Sequence, residues 1–276
     1  VTLTYLSGVV VPSILDQPRD DLGLLLTPDM GNKPDLHRVR AWGADNGCYG
    51  NPYWFDEDRF LGWLDRLAPY AGNCAFASVP DVPCDWDSTT ANYSMVQPIR
   101  ERGFPPALVL QDGMDPDDVP WYLFDAAFIG GSDQFKLVDA EPVVARARAE
   151  GLWIHMGRVN SLKRMQLAQR WGCDSVDGTY LNYGRRVNKV PENLPRLRRF
   201  LDTVNGRSPR ADGITCQGCA ERLDHLSATE QRPADLYDVG ALSQKREGHQ
   251  IQFVYANRRH QPVRLCELVQ KERRAS

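Results

Sequence analysis

Short apolar runs alternate with amphipathic stretches from the start of the chain to about residue 205. Eight of these runs lie at Leu3–Val10, Gly23–Leu26, Arg40–Asp45, Cys74–Val79, Ala107–Gln111, Ala126–Ile129, Leu152–Met156 and Cys173–Val176. They are apolar on both faces, as strands are in a parallel sheet covered by helices. Between them, helical periodicity predicts helices over Asp56–Ala68, Trp86–Arg102, Asp117–Leu123, Ala140–Glu150 and Ser161–Trp171, with another at Glu192–Val204. Asp56 and Ser161 stand where N-caps belong, and Gly103, Gly151 and Gly172 stand where helices close. Pro12 to Arg38 carries little helical pattern. Eight strands alternating with helices predict an α/β fold, a (β/α)8 TIM-like barrel near the small end of its size range. A doubly wound open sheet is the alternative, but no Gly-x-Gly-x-x-Gly follows the first strand.

Beyond residue 205 the pattern changes. Asn205-Gly-Arg-Ser-Pro-Arg-Ala-Asp-Gly is a loop signal, Cys216-Gln-Gly-Cys219 follows, and the remainder is polar with one strand expected at Gln250–Tyr255. The organisation expected is a catalytic barrel over 1–205 and a small C-terminal appendage over 206–276.

Composition narrows the class. Of the 276 residues, 42% are hydrophobic and 25% charged, which is ordinary for a soluble globular enzyme. No run approaches the roughly 18 apolar residues of a membrane span, and no charged start with an apolar core marks a signal peptide. A cytoplasmic protein without a membrane partner is expected. Seven cysteines, an odd count, argue against a disulfide framework there, and Cys74 and Cys173, inside apolar runs, read as buried thiols. The net charge of −3 does not advertise nucleic-acid binding. Residues 158–210 are nevertheless rich in Arg and Lys, so a local basic face is compatible with the total.

A barrel's chemistry sits at the C-terminal ends of its strands. Here those ends read Asp45-Asn46-Gly47-Cys48-Tyr49, Ser78-Val-Pro-Asp81, Gln111-Asp112-Gly113, Gly130-Gly131-Ser132, His155-Met156-Gly157-Arg158 and Asp174-Ser-Val-Asp177-Gly178. Carboxylates, a carboxamide, a glycine pair and an aromatic ring therefore converge on one rim. Such a set suits a planar polar heterocycle: Tyr49 can stack on it, Asp81 can accept from an N–C–N edge, and Gln111 with the Gly130–Gly131 backbone can donate to an oxo group. Asp45 and Asp177 can then serve as a base and a nucleophile at a sugar carbon.

Asp45-Asn-Gly-Cys-Tyr49, Gln111-Asp-Gly, Gly130-Gly131, Met156-Gly157 and Gly172-x-Asp174-x-x-Asp177 fall in the order and spacing of the tRNA-guanine transglycosylase superfamily. The chain most resembles its shorter bacterial and phage branch, the DpdA-like enzymes that insert 7-deazaguanines into DNA; the resemblance covers about residues 1–205. It implies exchange of guanine for a free 7-deazaguanine, such as the 7-cyano form, through a covalent aspartyl-nucleoside. By position, Asp177 resembles the nucleophile and Asp45 the general acid/base. Asp81 and Gln111 resemble base-edge readers beside Gly130 and the donor Gly131. Tyr49 and Met156, the latter beside Gly157, resemble the two faces that sandwich the base. The resemblance requires no redox or nucleotide cofactor, and it allows a homodimer or a partner modification protein. Asn46-Gly47-Cys48 replaces the tRNA enzymes' Ser-Gly-Gly, and Gly178-Thr-Tyr-Leu-Asn-Tyr-Gly-Arg185-Arg186 replaces their Pro-Thr-Arg segment. DNA is therefore the expected nucleic acid and tRNA the alternative. Arg158, Lys163, Arg185, Arg186 and Lys189 are the candidate phosphate contacts.

The family's structural zinc is held by Cys-x-Cys-x-x-Cys and a later His. Cys216 and Cys219 match the last two cysteines, while Ile214 stands where the first would be. His225, His249, His260 and Cys266 are each able to complete a tetrahedral set, and spacing does not choose among them.

Overall fold

The structure, a computed structural model, describes residues 2–10, 12–16, 19–30, 34–49, 55–182 and 190–207, and the strands within 243–263. Two compact units are present, Val1–Arg207 and Ser208–Ser276. In the first, eight parallel strands close into a barrel in chain order: β1 Thr4–Ser7, β2 Leu22–Leu26, β3 Trp42–Ala44, β4 Cys74–Ser78, β5 Pro106–Leu110, β6 Ala126–Ile129, β7 Trp153–Met156 and β8 Ser175–Gly178. Closure is made by β1 against β8, with Leu6 opposite Asp177 and Ser7 opposite Gly178. The (β/α)8 expectation is met.

Strand residues alternate between two environments. Those facing outward, such as Leu24, Leu108, Ile154, Met156 and Val176, are buried with the helices in one continuous core. The inward set is smaller: Leu6, Leu25, Phe76, Ala107 and Ala126 fill the barrel with Phe128 and Trp153. His155 lies among them, its ring 4.8 Å from Phe76 and 4.5 Å from Phe128.

The helices are α1 Pro12–Leu15, α2 Glu57–Leu67, α3 Trp86–Thr90, α4 Val96–Glu101, α5 Glu141–Ala149, α6 Leu162–Arg170 and α7 Val190–Val204. Asp56 caps α2 by accepting from the Arg59 N–H at 2.9 Å, and Ser161 caps α6 through Arg164 at 3.2 Å. Gly103, Gly151 and Gly172 close their helices at φ of +83°, +82° and +74°. Two helix expectations need correction. Trp86–Arg102 is interrupted by a 3-10 segment, Ala91–Met95, and Asp117–Leu123 yields only a 3-10 turn at Trp121–Leu123. In the latter, Pro120 excludes a continuous helix, and the indole of Trp121 donates to the Pro116 carbonyl at 2.9 Å.

The end of α7 is tied to the barrel floor. Asn205 bonds both the N–H and the carbonyl of Leu3, at 2.8 and 3.1 Å. Arg19 spans Asp21 at 2.8 Å and Asp202 at 2.6 Å. In the second unit, β9 Ser243–Glu247, β10 Gln250–Ala256 and β11 Pro262–Val263 form an antiparallel sheet. No helix among the described residues is long and apolar enough to cross a membrane.

Candidate active site

The residues expected at the rim are held by separate sets of hydrogen bonds, Asp177 with His155 and Arg158, Asp45 with Gly47, and Asp81 with Asn46 and Gln111. Strand β8 runs two residues further than its apolar pattern indicated, so Asp177 is part of the strand and points inward beside His155. Its Oδ1 lies 3.2 Å from His155 Nε2 and accepts the Arg158 backbone N–H at 3.1 Å. Among the described residues, nothing donates to Oδ2. Arg158 makes its contact from φ +61°, a left-handed conformation uncommon outside glycine.

A chain of hydrogen bonds fixes that imidazole. Trp153 Nε1 donates to Ser175 Oγ at 2.8 Å, and an indole nitrogen can only donate. The Ser175 hydroxyl then has His155 Nδ1, also at 2.8 Å, as the acceptor for its own proton. That order leaves the ring hydrogen on Nε2, pointed at Asp177.

Opposite stands Asp45, which follows β3 and accepts the Gly47 N–H at 2.9 Å. Burial pushes its carboxyl up to about 6; the Gly47 bond opposes the rise, Asp177 adds to it and His155 opposes it. Asp81 is fixed from two sides. Asn46 Nδ2 donates to its Oδ1 at 2.9 Å, and Gln111 Nε2 donates to its Oδ2 at 2.6 Å. Neither amide is free to turn over, because Asn46 Oδ1 accepts from Cys48 N–H at 2.7 Å and Gln111 Oε1 accepts from Cys84 N–H at 2.8 Å. Burial raises Asp81 to about 7 despite the Asn46 bond, with Asp45 nearby pushing the same way. Each carboxylate oxygen retains a lone pair for a ligand.

The glycine pair has two jobs. Gly130 gives its N–H to the Leu110 carbonyl at 3.1 Å, and a Cβ there would stand 2.7 Å from Val109 Cγ1 and 3.2 Å from Gln111 Nε2. Gly131, at φ +73°, turns the chain so that Asp112 can bind the Ser132 N–H, at 2.7 Å, and its hydroxyl. Among the described residues, the Gly131 N–H has no protein acceptor. Of this pair, Gly131 rather than Gly130 has the N–H that no described protein group accepts. A Cβ at Gly157 would meet Phe128 at 2.9 Å and Asp177 Oδ1 at 3.4 Å, so this position also needs the smallest residue.

Tyr49 is 42% exposed at the mouth. The Arg158 guanidinium lies 4.8 Å from its ring centroid, donates to its hydroxyl at 2.6 Å and pairs with Asp133 at 3.2 Å. Arg158 thus occupies one face of the ring and is engaged with protein groups. Met156 does not form the second face of a sandwich. It is fully buried and alternates with the inward His155, which places it in the outer core with Ile129 and Val176. Lys163 is exposed on α6. Arg185, Arg186, Lys189, Cys216 and Cys219 lie outside the described residues, as do Ile214, His225, His249, His260 and Cys266. Among the described residues, no group of three His, Cys, Asp or Glu side chains is placed to hold a metal ion. Cys74 and Cys173 are buried thiols, as expected.

Sequence reasoning assigned no role to His155, Ser175, Asn46 or Lys136. For His155 the signal is parity, because it shares the inward face of its strand with Trp153. For Lys136 the signal is a single charge within Phe135-Lys-Leu-Val138.

No protein-family model matches the chain, and no curated protein matches it. Among solved structures it is similar to tryptophan synthase from M. tuberculosis at 15% identity and a TM-score of 0.39, over 62% of each chain. A mandelate racemase/muconate lactonizing protein from Herpetosiphon aurantiacus matches at 17% identity and 0.36, over 55% of this chain and 42% of that one. The PaMucR phosphodiesterase matches at 12% identity and 0.37, over 53% and 62%. This chain therefore spans less than two thirds of each of these structures, and at such TM-scores they carry no argument about activity. The class is defined by the closed eight-stranded parallel barrel itself.

Proposed function

We propose that the barrel mouth exchanges a base on a nucleic acid, expelling guanine from a nucleoside and inserting a free 7-deazaguanine, with DNA as the preferred substrate. The observation that carries this reading is the division of labour among three carboxylates at the mouth. Asp177 has one oxygen held by two donors and the other bare, Asp45 is raised to about 6, and Asp81 is locked between two amides whose orientation is fixed.

In this scheme Asp177 Oδ2 attacks C1′ as the C1′–N9 bond breaks. The bonding pair leaves with guanine, which takes a proton from Asp45. The incoming deazaguanine returns a proton to Asp45, its nitrogen bonds to C1′, and the Asp177 carboxylate is released. A carboxyl group near 6 can hold and give up a proton near neutral pH. Asp81 accepts N–H groups of the base edge, and the Gly131 N–H donates to its oxo group. The target nucleotide must leave the stack to reach a barrel mouth. Arg158 must also move if a base is to stack on the face of Tyr49 it now covers.

The test is incorporation of labelled guanine or 7-cyano-7-deazaguanine into duplex DNA, single-stranded DNA and bulk tRNA, with Asp177→Asn alongside. Label in DNA alone, lost in the variant, is the expected result. Label in tRNA alone would keep the chemistry and change the substrate. Base release without any added base would indicate a hydrolase, and no reaction would point to a non-catalytic binding protein or to a missing partner protein.

A further inference from the structure

Arg158 is one of two non-glycine residues with a positive φ among the described residues. Backbone strain of that kind gathers at functional sites. The residue is pinned from two sides. Its N–H donates to Asp177 Oδ1 at 3.1 Å, and its carbonyl accepts from Arg164 Nη1 at 3.3 Å. The side chain reaches away from these anchors and lies across the mouth. Nη1 donates to the Tyr49 hydroxyl at 2.6 Å, while Nη2 donates to the Gly131 carbonyl at 3.4 Å and to Asp133 at 3.2 Å. With its carbon 4.8 Å from the Tyr49 ring centroid, the guanidinium spans the space between that ring and the Gly131 turn. A base that stacks on this face and meets the Gly131 N–H has to lie there.

The contacts that hold the guanidinium are replaceable. Asp133 also has Arg164 at 3.7 Å, so it keeps a cation when Arg158 leaves. Tyr49 is exposed, and its hydroxyl can turn to water. The guanidinium keeps its charge at any working pH, and the planar fork that pairs with a carboxylate suits a phosphate equally well. Only side-chain torsions need change for it to leave, so the backbone bond to Asp177 is retained.

We propose that Arg158 makes the mouth selective for a base that arrives with a phosphate: its guanidinium covers the base seat at rest and leaves it for a phosphate of the nucleic-acid strand. This deepens the base-exchange reading and rests on it. A free base must displace the guanidinium and offers it no anion in return. A flipped nucleotide brings the anion that draws it off. The nucleic acid is thus the first ligand, and the free deazaguanine enters a seat that the strand has already opened.

The test compares the full chain with Arg158→Asn and Tyr49→Phe. Asparagine tolerates the left-handed backbone and is too short to reach the ring. Phenylalanine keeps the ring and removes the hydroxyl that holds the guanidinium. By calorimetry, affinity for free 7-cyano-7-deazaguanine should rise about three- to fivefold in Arg158→Asn, the scale of an exposed cation–π contact, and should rise in Tyr49→Phe as well. Binding of a guanine-containing single-stranded DNA oligonucleotide should weaken in Arg158→Asn. Its dependence on salt should lose about 0.7 in log–log slope, one phosphate contact on a single strand, while Tyr49→Phe keeps the wild-type slope. Free-base affinity that fails to rise in either variant, or a salt slope unchanged in Arg158→Asn, overturns the proposal. Failure of Arg158→Asn, with its seat uncovered, to bind the free base at all defeats the proposal and the base-exchange reading together. If the affinities shift as expected and no label is exchanged, the role of Arg158 stands and the exchange chemistry fails.

Discussion

His155 Nε2 and Asp177 Oδ1 meet at 3.2 Å where the barrel interior opens to its mouth. A fully buried imidazole supports a carboxylate that is 19% exposed. The contact ties the interior packing of Phe76 and Phe128 to the group proposed to react, because those rings set the plane of the imidazole. The Trp153–Ser175–His155 chain sets which ring nitrogen carries the hydrogen. In Ser175→Ala that setting is lost. The expected outcome is a fall in kcat of about tenfold, the scale of one hydrogen bond, with KM little changed. The 15N spectrum of His155 should show the Nε2–H tautomer in the wild type and a mixture in the variant.

On the proposed reading, the proton on Asp81 should govern base binding. If it accepts N–H groups as a carboxylate, affinity for a free deazaguanine should rise with pH through about 7, where burial has placed this group. Calorimetric titration of the base between pH 5.5 and 8.5 gives the slope. Asp81→Asn should bind weakly at every pH and remove the slope. It sets an NH2 group against the fixed NH2 of Gln111 or Asn46.

Two buried aspartates should affect stability with opposite pH signs. Asp45 has a folded pKa of about 6, above its unfolded value, so its contribution is complete below about 4 and is lost as pH rises through 6. Asp45→Asn should therefore gain about 1–3 kcal/mol on the wild type at pH 8 and little at pH 4. Burial works against Asp21, but Arg19 together with Asn205 and Arg207 holds the carboxyl below its ordinary value. Its stabilisation is present above about pH 4 and is lost as pH falls through the folded pKa. Asp21→Asn should cost about 1.5–3 kcal/mol at pH 7, because Arg19 loses one of its two carboxylate partners and keeps only Asp202. Urea unfolding at the two pH values separates the cases.

Gly131→Ala should be poorly tolerated. Its φ is +73°, and the new Cβ would stand 2.6 Å from Asp112 Oδ2, the atom that binds the Ser132 N–H. A loss of about 1–3 kcal/mol is expected from the left-handed backbone and the overpacking, together with weaker base binding as the donor turn shifts. Gly8→Ala is the control, since a Cβ there meets nothing within 4 Å. Thermal unfolding and base titration of both variants check this.

The order of strands and helices, the caps at Asp56 and Ser161 and the helix-closing glycines were legible in the sequence. Each depends on local hydrogen bonding or on a hydrophobic period that repeats within a few residues. The same reading placed Asp45, Asp81, Gln111 and Asp177 at one rim, because a parallel barrel brings all its strand ends to one side. Direction and partnership were not legible. Met156 and His155 are neighbours in sequence, yet one enters the outer core and the other the interior, and only the register of β7 against β6 and β8 decides which. Arg158 stands 109 residues from Tyr49 and covers its ring, and Lys136 is buried among charges drawn from three other segments. Such contacts join groups distant in the chain, and the closed barrel alone sets their distances, burial and charge balance.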